Sequence, residues 1–183
     1  MRIVLGVTGS SGAIYAREFV KRCEADTYLV VSKWGKVLLK DELGISTREL
    51  LPFVKREFSD DDLTAPVASG SNHFDACVIL PCSTSTLGKI ASGMGDTLIT
   101  RTAQVALKER FKLILCIRET PLSTGSLEQC AKLSREGAFI MPISPPLYFV
   151  PKTVEEFVHA YVDKVLGVIG LRTAQGWRAG ELE

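Results

Sequence analysis

Paired cysteines, histidines and net charge are what this sequence has least of. Its five cysteines are scattered, with no CxxC pair and an odd total, so a disulfide framework is not expected. The two histidines, His73 and His159, do not have the spacing of metal ligands. The 22 basic and 21 acidic side chains leave a net charge of +1, which argues against a general nucleic-acid-binding protein and gives no electrostatic reason to expect a membrane surface.

Long apolar runs are absent as well. The N-terminal run covers residues 2–8, which is too short for a secretory signal or a membrane span, and we therefore expect a cytoplasmic protein. The length of 183 residues predicts one domain, 1–183, and excludes a two-domain nicotinamide dehydrogenase. For the tail from about residue 172, two alternatives stay open: it packs on a neighbouring subunit or it frays.

What the sequence does contain is an alternation of apolar runs and helical patterns. Runs at 2–8, 27–31, 76–80, 112–117 and 138–141 predict strands, and patterns near 13–24, 34–43, 97–110, 126–135 and 153–170 predict helices. The runs are apolar on both faces, which predicts a doubly wound, mostly parallel sheet in a Rossmann- or flavodoxin-like three-layer α/β sandwich. Residues 52–71, with the acidic run 60–62, are predicted as an irregular, solvated loop.

Polar residues follow four of the predicted strands. Such sheets bind ligands outside the carboxyl ends of their strands, although capping and turn chemistry alone is an alternative explanation for these residues. The first loop reads Gly6-x-x-Gly9-x-x-Gly12, one residue longer than the dinucleotide fingerprint, and the acidic residue expected near the next strand end is missing. This pattern favours a mononucleotide phosphate over NAD. The polar strand ends are 9–12, Ser32-Lys33, 83–86 and Arg118-Glu119.

Charged side chains elsewhere suggest further roles. Arg101 and Lys108 are seven residues apart and so share one helix face, which suits a second phosphate group or a solvated basic face. Glu119 stands where catalytic groups lie in this architecture, as a proton donor or as an ion-pair partner of Arg118. Cys82 has no histidine in a neighbouring motif and is interpreted as a packing residue.

Together these motifs resemble the UbiX-type flavin prenyltransferases, in matching order over about residues 2–171. The motifs are Thr8-Gly-Ser-Ser-Gly-Ala13, Ser32-Lys33, Ala68-Ser-Gly-Ser71, Leu80-Pro-Cys-Ser-Thr84, Arg101-x6-Lys-Glu-Arg110, Ile117-Arg-Glu-Thr-Pro121 and Met141-Pro with Tyr148. The resemblance implies FMN binding at oligomer interfaces and transfer of a dimethylallyl group to N5 and C6 of the reduced flavin. It also implies dimethylallyl monophosphate as donor, no metal, a dodecamer, and prenylated FMN as a product for UbiD-type decarboxylases.

The resemblance also implies roles for individual residues. Those expected to bind FMN are Gly9, Ser10, Ser11, Ser32, Ser83, Thr84, Ser85, Thr86 and Arg118. Those expected to bind the donor phosphate are Arg101, Lys108, Tyr148 and Lys164. The catalytic set is Glu119, Ser11, Glu42 and Lys108, in which Glu119 and Ser11 carry protons. Two positions depart from some relatives, because Leu63 replaces an aromatic residue and Lys164 replaces an arginine.

Two other functions remain as alternatives. The first is an FMN-dependent peptidyl-cysteine decarboxylase, a class that carries a catalytic histidine and a Pro-Ala-Ser-Ala-Asn-Thr segment. The loop at 81–86 reads Pro-Cys-Ser-Thr-Ser-Thr instead, and neither histidine lies in a matching motif. The second is a non-catalytic flavin-binding assembly subunit of a decarboxylase, against which the presence of Glu119, Lys108 and Tyr148 argues.

Overall fold

The computed structural model describes residues 1–148 and 150–171, in which strands and helices alternate along most of the chain. The strands are β1 (Arg2–Val7), β2 (Asp26–Val31), β3 (Arg56–Ser59), β4 (Ala76–Cys82), β5 (Lys112–Ile117) and β6 (Phe139–Pro142). The helices are α1 (Ala13–Arg22), α2 (Lys33–Leu43), α3 (Thr84–Ala91), α4 (Leu98–Glu109), α5 (Thr124–Arg135) and α6 (Val154–Ile169). Short 3₁₀ turns lie at Thr47–Glu49, Leu51–Phe53 and Pro66–Ala68.

All six strands form one parallel sheet in the order β3-β2-β1-β4-β5-β6. The chain builds outward from β1 toward β3 in one direction and from β4 toward β6 in the other. The order therefore reverses between β1 and β4, and the crevice above their carboxyl ends is where open parallel sheets bind ligands.

Helices cover both faces of this sheet because the central strands are apolar on both faces. Every residue of β4 is buried, and β1 and β5 each expose only their first residue. One face packs on α3, α4 and α5 through side chains such as Leu87, Ala103 and Leu133. The other face packs on α1, α2 and α6 through Phe19, Leu39 and Val162. The predicted three-layer, doubly wound α/β fold is confirmed.

The prediction was wrong in part of the 52–71 segment, because β3 lies within it. This strand is short, and only Phe58 of its four residues is buried. Phe58 stacks on Tyr28 of β2, with ring centroids 6.2 Å apart, and Arg56 lies over the Phe58 ring at 4.8 Å. These contacts hold an edge strand whose sequence lacks the long apolar run of the central strands.

Within the described residues, none of the helices combines the length and apolar character that a membrane span needs. The tail from about residue 172 lies outside the described residues, so its two alternatives, packing on a neighbouring subunit or fraying, both stay open.

Gly35 tests the close packing of α2 against the sheet. A Cβ at this position would lie 2.5 Å from the carbonyl oxygen of Val7 and 3.1 Å from Val31 Cγ1. We expect Gly35→Ala to lower the free energy of unfolding by about 1–3 kcal/mol, because backbone on one side and a packed side chain on the other leave little room. Denaturant unfolding of the variant measures this change.

The matched control is Gly125→Ala, in the first turn of α5. An added Cβ there meets nothing within 4 Å, so the helix propensity of alanine is expected to leave stability unchanged or raise it by about 0.5–1 kcal/mol. Equal stability of the Gly35→Ala protein and the wild type would contradict the close approach of α2 to β1.

Candidate functional site

A cavity of about 830 Å³ opens at the carboxyl ends of β1, β2, β3 and β4, above the point where the strand order reverses. This volume lies within the range of roughly 300–1,000 Å³ that is usual for small-molecule sites. Most of its lining residues carry a hydroxyl or a charge. The lining residues are Thr8, Gly9, Val31, Ser32, Lys33, Trp34, Lys36, Ser59, Asp60, Asp61, Ser83, Ser85, Thr86, Lys89, Thr97, Ile99 and Thr100.

Thr8 ties together the two strand ends that frame the cavity. Its buried hydroxyl donates a hydrogen bond to the carbonyl oxygen of Pro81 at 2.8 Å and accepts one from the backbone N–H of Ser83 at 2.9 Å. The backbone N–H of Thr8 also donates to Pro81 O at 3.2 Å. These bonds fix the loop after β1 against the start of α3, so the two groups of polar residues that follow β1 and β4 keep one geometry.

Two helices begin at the cavity wall, each capped by a serine. Ser83 Oγ accepts the backbone N–H of Thr86 at 3.3 Å and lies 3.0 Å from Thr86 Oγ1. Ser32 Oγ accepts the backbone N–H of Gly35 at 3.0 Å. The first turn of a helix leaves backbone N–H groups without helical acceptors and carries partial positive charge, so the start of α3 suits an anionic group.

Lysines and aspartates share the rim of the cavity. Lys33, Lys36 and Lys89 line it, and the ammonium of Lys89 pairs with Asp96 at 2.6 Å. Asp60 lies within the predicted solvated run but is half-buried, because it caps the start of α4: its Oδ1 accepts the N–H of Ile99 at 2.9 Å. Burial raises the pKa of the Asp60 carboxyl, and the bond from Ile99 opposes that shift.

Five of the residues predicted to bind FMN line this cavity, namely Gly9, Ser32, Ser83, Ser85 and Thr86. Thr84, the first residue of α3, is not among the lining residues. Ser10 and Arg118 lie outside the cavity but beside each other, because the Ser10 hydroxyl donates to the carbonyl oxygen of Arg118 at 2.5 Å. Ser11 is exposed in the same loop.

The predicted acidic residues lie outside the cavity. Glu119 is exposed and accepts the backbone N–H of Thr120 at 3.0 Å; in the described part of the chain it makes no ion pair with Arg118. Glu42 reaches from α2 to the start of α1. Its carboxylate accepts the N–H groups of Gly12 at 2.9 Å and Ala13 at 2.8 Å, so it occupies the helix N-terminus that follows the glycine-rich loop.

Of the four residues predicted to bind the donor phosphate, three lie on helices of two different layers and one lies in a loop. Arg101 and Lys108 are exposed on α4, where Arg101 Nε donates to Ala68 O at 3.1 Å and Lys108 pairs with Glu109. Lys164 is exposed on α6, which packs on the opposite face of the sheet. Tyr148 lies in the loop before α6 and is half-exposed.

The chain matches the protein family described as Flavoprotein over residues 1–166. It is 43% identical over 172 residues to a flavin prenyltransferase UbiX of Thermoplasma acidophilum, covering 93% of this chain and 96% of the relative. Membership of the family follows from these matches. The chain belongs to the UbiX-type flavin prenyltransferases.

Solved structures support the same assignment to the flavin prenyltransferases. AnUbiX (PadA1), crystallised in complex with FMN and dimethylallyl pyrophosphate, superposes with a TM-score of 0.91 at 34% identity, covering 97% of this chain and 98% of that one. A dodecameric FMN-dependent UbiX-like decarboxylase from Escherichia coli O157:H7 gives a TM-score of 0.93 at 36% identity, covering 98% of this chain and 100% of that one. The peptidyl-cysteine decarboxylase EpiD shares only the fold, at 20% identity and a TM-score of 0.61.

Several cavity residues of this flavin prenyltransferase were not predicted from its sequence. Ser59 is the last residue of β3, Asp60 follows it, and Lys89 lies on α3; the apolar and helical patterns indicated neither of these elements. Trp34 begins a predicted helix, but nothing in the pattern assigned it a role. Cys82, interpreted as a packing residue, is fully buried, and burial raises the pKa of its thiol, so it stays protonated near neutral pH.

Because the pKa of Asp60 is raised, we predict that Asp60→Asn stabilises the folded protein by an amount that depends on pH. A carboxyl whose pKa is higher in the folded than in the unfolded protein binds more protons when folded, so its contribution to stability falls as pH rises through that interval. The asparagine keeps an oxygen for the Ile99 N–H but carries no charge. We expect a higher melting temperature than wild type at pH 7, with the difference shrinking as the pH approaches the ordinary aspartate pKa of 3.8.

Melting temperatures of Asp60→Asn, the wild type and the exposed neighbour variant Asp61→Asn across this pH range test the idea. Asp61→Asn controls for the general effect of removing one negative charge. An equal, pH-independent shift in both variants would show that burial of Asp60 does not govern its ionisation.

Proposed function

We propose that this chain transfers the dimethylallyl group of dimethylallyl monophosphate to N5 and C6 of reduced FMN, making prenylated FMN. The observation that carries the proposal is the cavity at the reversal of strand order, because it is lined by Gly9, Ser32, Ser83, Ser85 and Thr86. The relative crystallised with FMN and dimethylallyl pyrophosphate supports a flavin and a dimethylallyl donor as the pair of ligands. The flavoprotein family match supports the flavin.

The residues of the cavity fit the phosphate end of FMN. Hydroxyls from Ser32, Ser83, Ser85 and Thr86 offer donors, and the start of α3 offers backbone N–H groups. Lys33, Lys36 and Lys89 supply positive charge on the same wall. In this proposal, Ser10 and Arg118 bind the flavin beyond Gly9, where the loops after β1 and β5 are joined by their hydrogen bond.

The chemistry needs cations near the donor and a proton source. Reduced FMN, when bound, supplies the nucleophilic nitrogen and carbon. Lys108, Arg101, Tyr148 and Lys164 would hold the donor phosphate, because fixed positive charge and hydrogen-bond donors stabilise the negative charge that grows on a departing phosphate. Glu119 would give a proton to that phosphate, and Ser11 and Glu42 would take part in proton movement at the flavin. The protein otherwise orients two bound partners.

Placement of these residues supports a homo-oligomer, which we propose to be a dodecamer. Arg101 and Lys108 lie on α4 and Lys164 lies on α6, and these helices cover opposite faces of the sheet. A donor site that uses all three therefore draws on more than one copy of the chain. The dodecameric UbiX-like relative supports this assembly. We also propose a UbiD-type decarboxylase as recipient of the product, and a cytoplasmic location in keeping with the five free cysteines.

An anaerobic assay tests the proposed reaction. Protein, reduced FMN and dimethylallyl monophosphate are mixed without added metal, and the mass of the flavin is measured. We expect the flavin to gain one five-carbon prenyl unit, and the same assay with dimethylallyl pyrophosphate compares the two donors. An unchanged flavin mass after full reduction and excess of either donor would contradict the proposal. Release of carbon dioxide from a C-terminal cysteine peptide, in a parallel assay with oxidised FMN as the electron acceptor, would favour the peptidyl-cysteine decarboxylase. FMN binding without either reaction would favour the assembly subunit.

Glu119→Gln separates proton transfer from flavin binding. The amide keeps the size of the side chain but cannot donate an acidic proton, so turnover is expected to fall by about a hundredfold or more. FMN affinity, measured by titration, is expected to change little. Glu128→Gln on α5, where the side chain is also exposed, serves as the matched control and is expected to leave both quantities unchanged. Parallel losses of turnover and FMN affinity in Glu119→Gln would indicate a structural role instead.

A further inference from the structure

Trp34 is held at the cavity by two tight backbone contacts, one at Gly9 and one at Gly35. It is the second residue of α2, whose start is capped by Ser32. A Cβ on Gly9 would overlap Trp34 Cβ, and a Cβ on Gly35 would lie 2.5 Å from the carbonyl oxygen of Val7. The loop after β1 and the first turn of α2 are therefore in direct contact, and the base of the tryptophan side chain lies against Gly9.

The indole is the large exposed apolar side chain of a cavity whose lining residues mostly carry a hydroxyl or a charge. Trp34 lines the cavity and yet is 65% exposed, whereas the aliphatic lining residues Val31 and Ile99 are buried in the core. Among the described residues of the wall it is the one aromatic side chain. The ammonium of Lys33 lies 5.8 Å from its ring centroid, within cation–π range. A flat apolar surface beside hydroxyls and cations suits a ligand that has a planar ring at one end and an anion at the other.

The position of Trp34 matches the junction between the two ends of such a ligand. Ser32, Ser83 and the start of α3 form the anion-binding part of the cavity. Ser10 follows Gly9 in the loop after β1 and lies outside the cavity, where its hydroxyl bonds to the carbonyl oxygen of Arg118 in the loop after β5. A flavin mononucleotide with its phosphate in the cavity and its ring toward Ser10 passes Gly9, and therefore passes the indole of Trp34.

Resting on the proposed function, we infer that Trp34 is a further flavin-binding residue whose indole packs against the isoalloxazine ring. The contact is apolar and does not involve the phosphate. Trp34 therefore contributes equally to the binding of FMN and of riboflavin, which carries the same ring without the phosphate. The cavity hydroxyls and lysines, in contrast, favour FMN over riboflavin.

Titration of the flavin-free, assembled protein with FMN and with riboflavin tests this inference. We expect Trp34→Ala to lower the affinity for FMN and for riboflavin by the same factor, about tenfold or more, as for other stacked rings. Trp34→Phe, which keeps a flat ring, is expected to retain most of the affinity, and Trp34→Leu, which keeps only apolar bulk, is expected to lose it. Comparing the flavin affinities of Trp34→Phe and Trp34→Leu tests the inference even if the alanine variant has a lowered melting temperature.

Phe53→Ala is the matched control. Phe53 is also an exposed aromatic residue, 42% accessible, with the ammonium of Lys21 at 5.9 Å from its ring, but it does not line the cavity. Its variant is expected to bind both flavins as the wild type does.

Three results would overturn the inference without touching the proposed function. Unchanged affinity of Trp34→Ala for both flavins, or equal affinities of the Phe and Leu variants, would exclude ring packing. A loss confined to FMN would place Trp34 at the phosphate instead. In these cases the wild type still binds FMN and the prenyl-transfer assay stands on its own. A wild type that binds neither flavin would overturn both this inference and the proposed function.

Discussion

The hydroxyl of Thr8 holds the geometry on which the site depends. It is buried between the ends of β1 and β4, where it donates to one backbone group and accepts from another. A parallel sheet leaves a crevice wherever its strand order reverses, but the crevice alone does not align the loops above it. Because Thr8 bonds to the segment that starts α3, the loop with Gly9 and the serines after β4 cannot move independently. Both α3 and the cavity wall depend on that alignment.

The chain divides its proposed chemistry between the layers of the sandwich. The crevice and the start of α3 offer hydroxyls and cations for an anion, and α4 and α6 carry cations on opposite faces of the sheet. This division explains why a single cavity in one chain contains some of the predicted site residues and not others. The strand ends bring together whatever follows β1, β2 and β4. The cations on α4 and α6 lie on opposite faces of the sheet, so the fold of one chain does not bring them together.

Much of the fold could be predicted because a strand that is buried on both faces of the sheet has a continuous apolar sequence. The runs in β1, β4 and β5 are continuous and apolar, so the strands could be predicted, and with them the polar residues after β1 and β4 that line the cavity. β3 has one buried residue, Phe58, and an edge strand of this kind does not differ in pattern from a loop. The residues after it, including Asp60, were therefore missed.

Lys89 and Trp34 escaped prediction for another reason. Lys89 is placed at the cavity by α3, a helix of eight residues whose hydroxyl-rich first turn reads equally well as a loop. Trp34 owes its place to the absence of side chains at Gly9 and Gly35, which no periodicity reveals. The exposed acid Glu119 was predicted as a site residue because it follows β5 directly, but it lies outside the cavity.

The carboxylate of Glu42 makes the glycine-rich loop select against ligands with a second phosphate, which the sequence of the loop alone does not show. Dinucleotide-binding proteins place a pyrophosphate at the helix start that follows such a loop. Here that position holds a side chain of the same chain, bonded to the N–H groups of Gly12 and Ala13. An internal anion thus competes with any second phosphate, by occupancy and by like-charge repulsion. Because the Glu42 carboxylate fills this position, the pyrophosphate of FAD or NAD has no binding site at the start of α1.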